Sequence, residues 1–141
     1  MEKTFITYEE ALSIIEINKN NFVTIQVPIK ECGGYVLAED LTADRDLPPY
    51  DRITMDGIAI DYDTFRNGQR EFPIKGVAPA GSPQQTLDDK TSCIEVMTGA
   101  ILPNNADTVI RYEDLNIADG NARINITEIE YRQNIHFKGS D

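Results

Sequence analysis

The second half of the chain is divided into short apolar stretches separated by turn residues, and this pattern limits the folds that are open to it. From residue 51 onward, six stretches have the length and the branched residues of strands. They are residues 58–60, 71–75, 92–97, 108–112, 115–117 and 122–126. The Asp119-Gly120 pair between the last two favours a tight hairpin, because glycine readily adopts a positive φ. The pattern predicts a small barrel- or sandwich-like lobe.

The N-terminal segment predicts one helix and one strand. Thr7 and Glu10 have the spacing of a capping box, which marks a helix start. The apolar residues that follow recur at helical spacing, so one stripe of this helix must pack on this domain or on another part of the protein. Residues 22–27 alternate apolar and polar side chains and predict a half-buried strand. The fold class is therefore α+β and mainly β. The polar stretch 44–49 ends in Pro48-Pro49 and predicts a boundary between the N-terminal segment and the β-rich lobe.

Composition excludes several classes of protein. The chain has 13 Lys+Arg against 24 Asp+Glu and a formal net charge of −11, which repels phosphate backbones and argues against sequence-independent nucleic-acid binding. No apolar run approaches the roughly 18 residues that cross a bilayer, so we expect no membrane segment and a cytoplasmic location. Cys32 and Cys93 are far apart and are expected to be buried small side chains rather than a disulfide.

Two glycine-containing pairs are the best candidates for a ligand site. Asp56-Gly57 and Thr98-Gly99 each place an oxygen-bearing side chain beside a glycine, where a ligand can approach the backbone closely. Carboxylates near predicted strand ends suit a hard cation such as Mg²⁺; they are Asp61, Asp107, Glu113 and Asp114. Such pairs are also ordinary turn chemistry. The residues alone therefore predict an acidic, strand-rich module and leave cation binding open.

The order of the motifs resembles the N-terminal part of the molybdopterin molybdotransferase family, which includes the C-terminal domain of gephyrin. The motifs are PPYDRITMDGIA at 48–59, AG at 80–81, VMTGAILPNNADTV at 96–109, ED at 113–114 and NIHFKGSD at 134–141. The resemblance implies an enzyme that uses Mg²⁺ to insert molybdate into adenylylated molybdopterin, with release of AMP. It also implies that residues 1–42 form an N-terminal segment and residues 43–141 the β-rich lobe. It further implies a homodimer and a separate pterin-binding domain that this chain lacks.

The resemblance also implies roles for particular residues. Asp56, Thr98 and Asp141 are the implied catalytic residues, and the carboxylates of Asp56 and Asp141 would hold the cation. Gly57 and Gly99 are the predicted cofactor-binding positions. His136 stands where the family usually has an arginine. The alternative hypothesis is a non-catalytic dimerisation or interaction module derived from the same family.

Overall fold

The computed structural model describes residues 5–20 and 22–141, and the chain divides into two compact units, Met1–Thr42 and Ala43–Asp141. The first unit contains helix α1 (Tyr8–Ile17) and a 3-10 turn at Ile29–Glu31. The predicted capping box is confirmed, since Glu10 N–H donates to Thr7 Oγ1 (3.2 Å) and Thr7 N–H donates to Glu10 Oε2 (2.9 Å). These two bonds satisfy amides that a helix start otherwise leaves unpaired.

Most of the apolar residues that the structure describes in the first unit are exposed. None of the residues of α1 is buried, and Ile15 keeps 66% of its surface. The strand predicted at residues 22–27 is wrong, because the described residues of this segment form no ladder with another strand. Alternation alone cannot make a strand, since its backbone groups need a hydrogen-bonding partner. The prediction that both cysteines are buried is confirmed for Cys93 but wrong for Cys32, which is exposed with the rest of its segment.

The second unit is built on two sheets. Strands β1 (Arg52–Ile53) and β8 (Ile135–His136) form a small antiparallel pair. A curled six-stranded half-barrel has the order β5-β2-β4-β3-β7-β6. Its strands are β2 (Gly57–Ile60), β3 (Glu71–Ala78), β4 (Cys93–Val96), β5 (Thr108–Arg111), β6 (Leu115–Ala118) and β7 (Asn121–Ile124). The predicted strand-rich fold class and all six predicted strands of the lobe are confirmed.

Two local elements of the lobe differ in how well the sequence predicts them. Asp119 and Gly120 have φ angles of 51° and 74° and join β6 to β7, so the predicted hairpin is confirmed. Helix α2 (Tyr62–Arg66) was not predicted, because one and a half turns carry too little periodicity. No helix in the described ranges is long and apolar enough to cross a membrane.

The half-barrel has an apolar core on each of its faces. Successive residues of β2 belong to different cores: Ala59 packs with Val96 and Val109 on one face, and Ile58 and Ile60 pack on the other. All four residues of β2 are therefore buried. A strand that is buried on both faces reads as a continuous apolar run rather than an alternation.

The position of β2 depends on glycine at residue 57. A Cβ atom there would lie inside the contact radius of the Ile110 carbonyl oxygen and 2.8 Å from the Arg111 Cα. Both atoms belong to the backbone of β5, which cannot yield without breaking its pairing with β2. Gly57 therefore permits the close approach of the two strands.

We expect Gly57→Ala to destabilise the lobe by about 3 kcal/mol or more, because the added methyl group overpacks a backbone contact. Gly76→Ala in β3 is the matched control, since its Cβ would meet only the Gln85 side-chain oxygen at 3.0 Å. Urea unfolding measures the free energy of unfolding of both variants. Equal midpoints for the two variants would contradict the close approach.

The two cysteines should differ in reactivity. Burial and, secondarily, the Glu95 carboxylate raise the pKa of the Cys93 thiol to about 12, and the thiolate is the reactive form. A thiol reagent at pH 8 should therefore modify Cys32 in the folded chain and both cysteines in urea. Equal modification rates of the two thiols in the folded chain would contradict the burial of Cys93.

Candidate functional site

Strand register places Asp56 at one end of the half-barrel. Gly57 pairs with Val96 of β4 on one side and with Arg111 of β5 on the other. Both pairings are antiparallel, so the residue that precedes β2 meets the residues that follow β4 and β5. Those residues belong to the turn at Thr98 and to the backbone at Tyr112. Asp56 therefore lies between two strand ends that are far from it in sequence.

Asp56 and Thr98 are joined directly. The Thr98 N–H donates to Asp56 Oδ1 at 2.6 Å, and both residues are exposed. This backbone bond and, next, the Thr98 hydroxyl lower the pKa of the Asp56 carboxyl. The neighbouring Gly99 N–H donates to the Ile53 carbonyl oxygen at 2.9 Å. Both amides of the turn are thus already used, so the Thr98 hydroxyl, which also acts on the Asp56 carboxylate, is the donor that the turn could share with a ligand.

Tyr112 and Glu95 border the same end of the sheet, and sequence reasoning missed both. The Tyr112 N–H donates to the Asp56 carbonyl oxygen at 3.1 Å, and the Tyr112 hydroxyl donates to Glu95 Oε1. Desolvation and then the Glu95 carboxylate raise the pKa of Tyr112 to about 12, so the hydroxyl stays protonated. Only the strand register brings these residues together, and no short motif contains that information.

Asp141 lies in a different set of contacts. Its Oδ1 accepts a hydrogen bond from His136 Nε2 at 2.7 Å, and its N–H donates to the Leu47 carbonyl oxygen at 2.9 Å. In the part of the chain that the structure describes, no hydrogen bond or ion pair joins it to Asp56 or Thr98. The structure therefore pairs Asp56 with Thr98 and gives Asp141 a different set of hydrogen-bond partners, beside β8.

The two predicted glycine positions have structural reasons to be glycine. Gly57 allows the contact between β2 and β5 described above, and Gly99 has a φ of 88° in the turn that follows β4. Their roles toward a cofactor stay predictions, since the fold alone accounts for both residues.

Three of the four carboxylates noted in the sequence have structural partners. Asp61 caps α2 through the Thr64 N–H and pairs with Lys90 Nζ at 2.8 Å. Burial opposes its charge, but the bonds from Lys90 and Thr64 outweigh burial and lower the pKa of Asp61. The remaining partners are Tyr62 N–H for Asp107 and Arg111 for Asp114. Each of these three carboxylates therefore has a partner within the fold.

Asp56 and Asp141 fit a hard cation in a limited way. Each uses Oδ1 for an internal hydrogen bond, and over 5–20 and 22–141 no donor hydrogen-bonds the Oδ2 atom of either. Mg²⁺ takes one or two carboxylates and keeps several waters, so an exposed single oxygen suits it. No three His, Cys, Asp or Glu residues among those described are grouped closely enough to hold a metal. The chain offers single carboxylate ligands, and a complete cage would need other groups.

We expect the Asp56 carboxyl to titrate below 3.8 in the folded chain and near 3.8 in urea. Because the folded pKa is the lower one, the ionised group stabilises the fold above the ordinary pKa, and this contribution is lost as the pH falls through the lowered value. Carboxyl ¹³C NMR measures both titrations. A folded value at or above the value in urea would contradict the Thr98 hydrogen bond.

Comparisons with known proteins give consistent results. The family model described as MoeA N-terminal region (domain I and II) matches residues 6–141. A molybdopterin molybdenumtransferase of Synechocystis sp. is 43% identical over 137 residues, which is 96% of this chain and 35% of that protein. One of Staphylococcus epidermidis is 31% identical over 116 residues, or 79% of this chain and 28% of that protein.

Among solved structures, a molybdopterin biosynthesis moeA protein from Pyrococcus horikoshii superposes with a TM-score of 0.73 at 32% identity. The match covers 98% of this chain and 38% of that one. The chain therefore spans about a third of the length of these relatives. These findings confirm the resemblance seen in the sequence, and the chain belongs to the MoeA family, whose N-terminal region it matches.

Proposed function

We propose that this chain is the N-terminal part of a cytoplasmic molybdopterin molybdotransferase, which inserts molybdate into adenylylated molybdopterin and releases AMP. The observation that carries the proposal is the exposed Asp56 carboxylate, held by the Thr98 amide with one oxygen left open. The names of the relatives support the same reaction class. Because the chain spans only about a third of those proteins, the rest of the site belongs to sequence outside it.

The reaction brings two anions together, so charge must be neutralised at the site. A bound Mg²⁺ would supply this neutralisation and orient both anions. Asp56 and Asp141 are the residues of this chain that would hold it, each through its open oxygen. The Thr98 hydroxyl would donate a hydrogen bond to an oxygen of an anion, and the Asp56 hydrogen bond would keep the turn in place for it.

The acidic character of the chain favours a composite site. Its net charge of −11 attracts a cation but repels both anionic substrates. Basic groups that bind the pterin and the nucleotide must then come from a further domain, and a homodimer would bring that domain from a second subunit. Purified 1–141 should therefore release no AMP, whereas the full-length protein should.

A second candidate function is a dimerisation or interaction module without a catalytic role. The exposed apolar residues of the first unit favour it; they include Tyr8, Ile14, Ile15 and Ile17. Under this alternative, the acidic residues of the lobe are only surface groups. The two candidates differ in what Asp56 and Thr98 do in the full-length protein.

The first test exchanges a carboxylate for an amide in the full-length protein. Asp56→Asn should lower kcat/KM for AMP release on the order of 10²-fold, because charge at the site is lost while shape is kept. Asp88→Asn is the matched control, since Asp88 is also exposed and, among the described residues, has no hydrogen bond or ion pair with Asp56, Thr98 or Asp141. Equal turnover of the two variants with an altered oligomeric state would favour the second candidate.

The second test isolates the Thr98 hydroxyl. Thr98→Val removes the hydroxyl but keeps the backbone N–H that binds Asp56, whereas Thr98→Ser keeps both. We expect at least about a tenfold loss of kcat/KM for the valine variant and a near-normal value for serine, as for a lost hydrogen bond to a charged group. A valine variant that turns over like the serine variant would exclude a role for the hydroxyl.

A further inference from the structure

Three side chains form a line at the small sheet of the second unit. Arg52 Nη2 lies 2.9 Å from His136 Nδ1, and His136 Nε2 lies 2.7 Å from Asp141 Oδ1. The imidazole ring thus bridges a guanidinium and a carboxylate. The side chain of His136 is half-buried, with 30% of its surface exposed. This arrangement has no counterpart in the sequence motifs, since Arg52 and His136 are 84 residues apart.

The backbone fixes all three residues. Arg52 and His136 are direct partners in the β1–β8 pair, and the Thr54 N–H extends this pair by donating to the Asn134 carbonyl oxygen at 3.1 Å. After β8 the chain folds back, and the Asp141 N–H donates to the Leu47 carbonyl oxygen. The side-chain line therefore rests on backbone hydrogen bonds at both ends.

Hydrogen-bond capacity decides where the proton of the imidazole lies. A guanidinium has only donors, so His136 Nδ1 must accept the bond from Arg52. A neutral imidazole has one donor and one acceptor, and the proton must then be on Nε2, from which it is donated to Asp141. The contact with Arg52 thus selects one tautomer, and that tautomer has its donor directed at the carboxylate.

We propose that His136 is a positioning residue: Arg52 holds it as the Nε2–H tautomer, and it fixes the Asp141 carboxylate through Oδ1 so that Oδ2 faces a ligand. The inference rests on the proposed function, in which Asp141 helps to hold the cation. Outer hydrogen bonds of this kind orient a ligating carboxylate. A neutral bridge also leaves the negative charge of Asp141 available to the cation.

The tautomer of His136 can be tested without an activity assay. His136 is the single histidine of the chain, so long-range ¹H–¹⁵N NMR of 1–141 at pH 8.5 needs no assignment. We expect only the Nε2–H tautomer in the wild type. In Arg52→Met, the ¹⁵N chemical shift of Nδ1 should move toward the value of an acceptor nitrogen that has no hydrogen bond. Arg132→Met is the matched control, because Arg132 stacks on Phe137 nearby and should leave the shift unchanged.

An Nδ1–H tautomer, or equal shifts in Arg52→Met and the wild type, would overturn the proposal. This result is independent of AMP release, so loss of the proposed function would leave the tautomer test in force. Conversely, finding the other tautomer would overturn the role of His136 but would leave the proposed function, which rests on Asp56, unchanged.

The functional arm compares two variants in the full-length protein. His136→Gln keeps an N–H donor and an oxygen acceptor, whereas His136→Leu keeps neither. We expect the leucine variant to lose about 10–100-fold in kcat/KM, as for other lost outer hydrogen bonds, and the glutamine variant to stay within a few-fold of the wild type. Equal losses in both variants, or no loss in leucine, would show that His136 does not position Asp141.

Discussion

The contact between β2 and β5 at Gly57 is the constraint on which the site depends. With no side chain at this position, the Ile110 carbonyl comes close enough for β2 to pair on both sides. The same pairing sets the register that carries Asp56 to the Thr98 turn and to Tyr112. Strand packing and site geometry therefore depend on the same contact, and a change that moved β2 would also move the Asp56 carboxylate away from its donor.

Local features of this fold could be predicted because their causes lie within a few residues. The capping box of α1 needs only Thr7 and Glu10, and the last hairpin needs only Asp119-Gly120. The segment at 22–27 has an equally clear pattern but forms no strand. A strand needs a partner that the pattern does not name, whereas a helix start contains its own hydrogen-bond partners.

The candidate site was only partly predictable for the same reason. Asp56 and Thr98 stand beside glycines in short motifs, and their hydrogen bond then follows from the β2–β4 register. Glu95 and Tyr112 carry no such signal, because Glu95 reads as one more residue of a strand. The sequence also suggested cation binding for acidic residues that have partners within the fold. Asp61, for example, caps a helix and pairs with Lys90.

The different hydrogen-bond partners of Asp141 and of the Asp56–Thr98 pair bear on how the proposed site is completed. Each carboxylate offers one open oxygen, and a cation that keeps its waters can be held by one of them or can bridge to a substrate oxygen. Two such ligands on an acidic lobe give weak binding alone, because few protein oxygens replace the waters that the cation loses. An anionic substrate that shares the cation would tighten its binding, and we expect the cation to raise the affinity for the anion by the same factor.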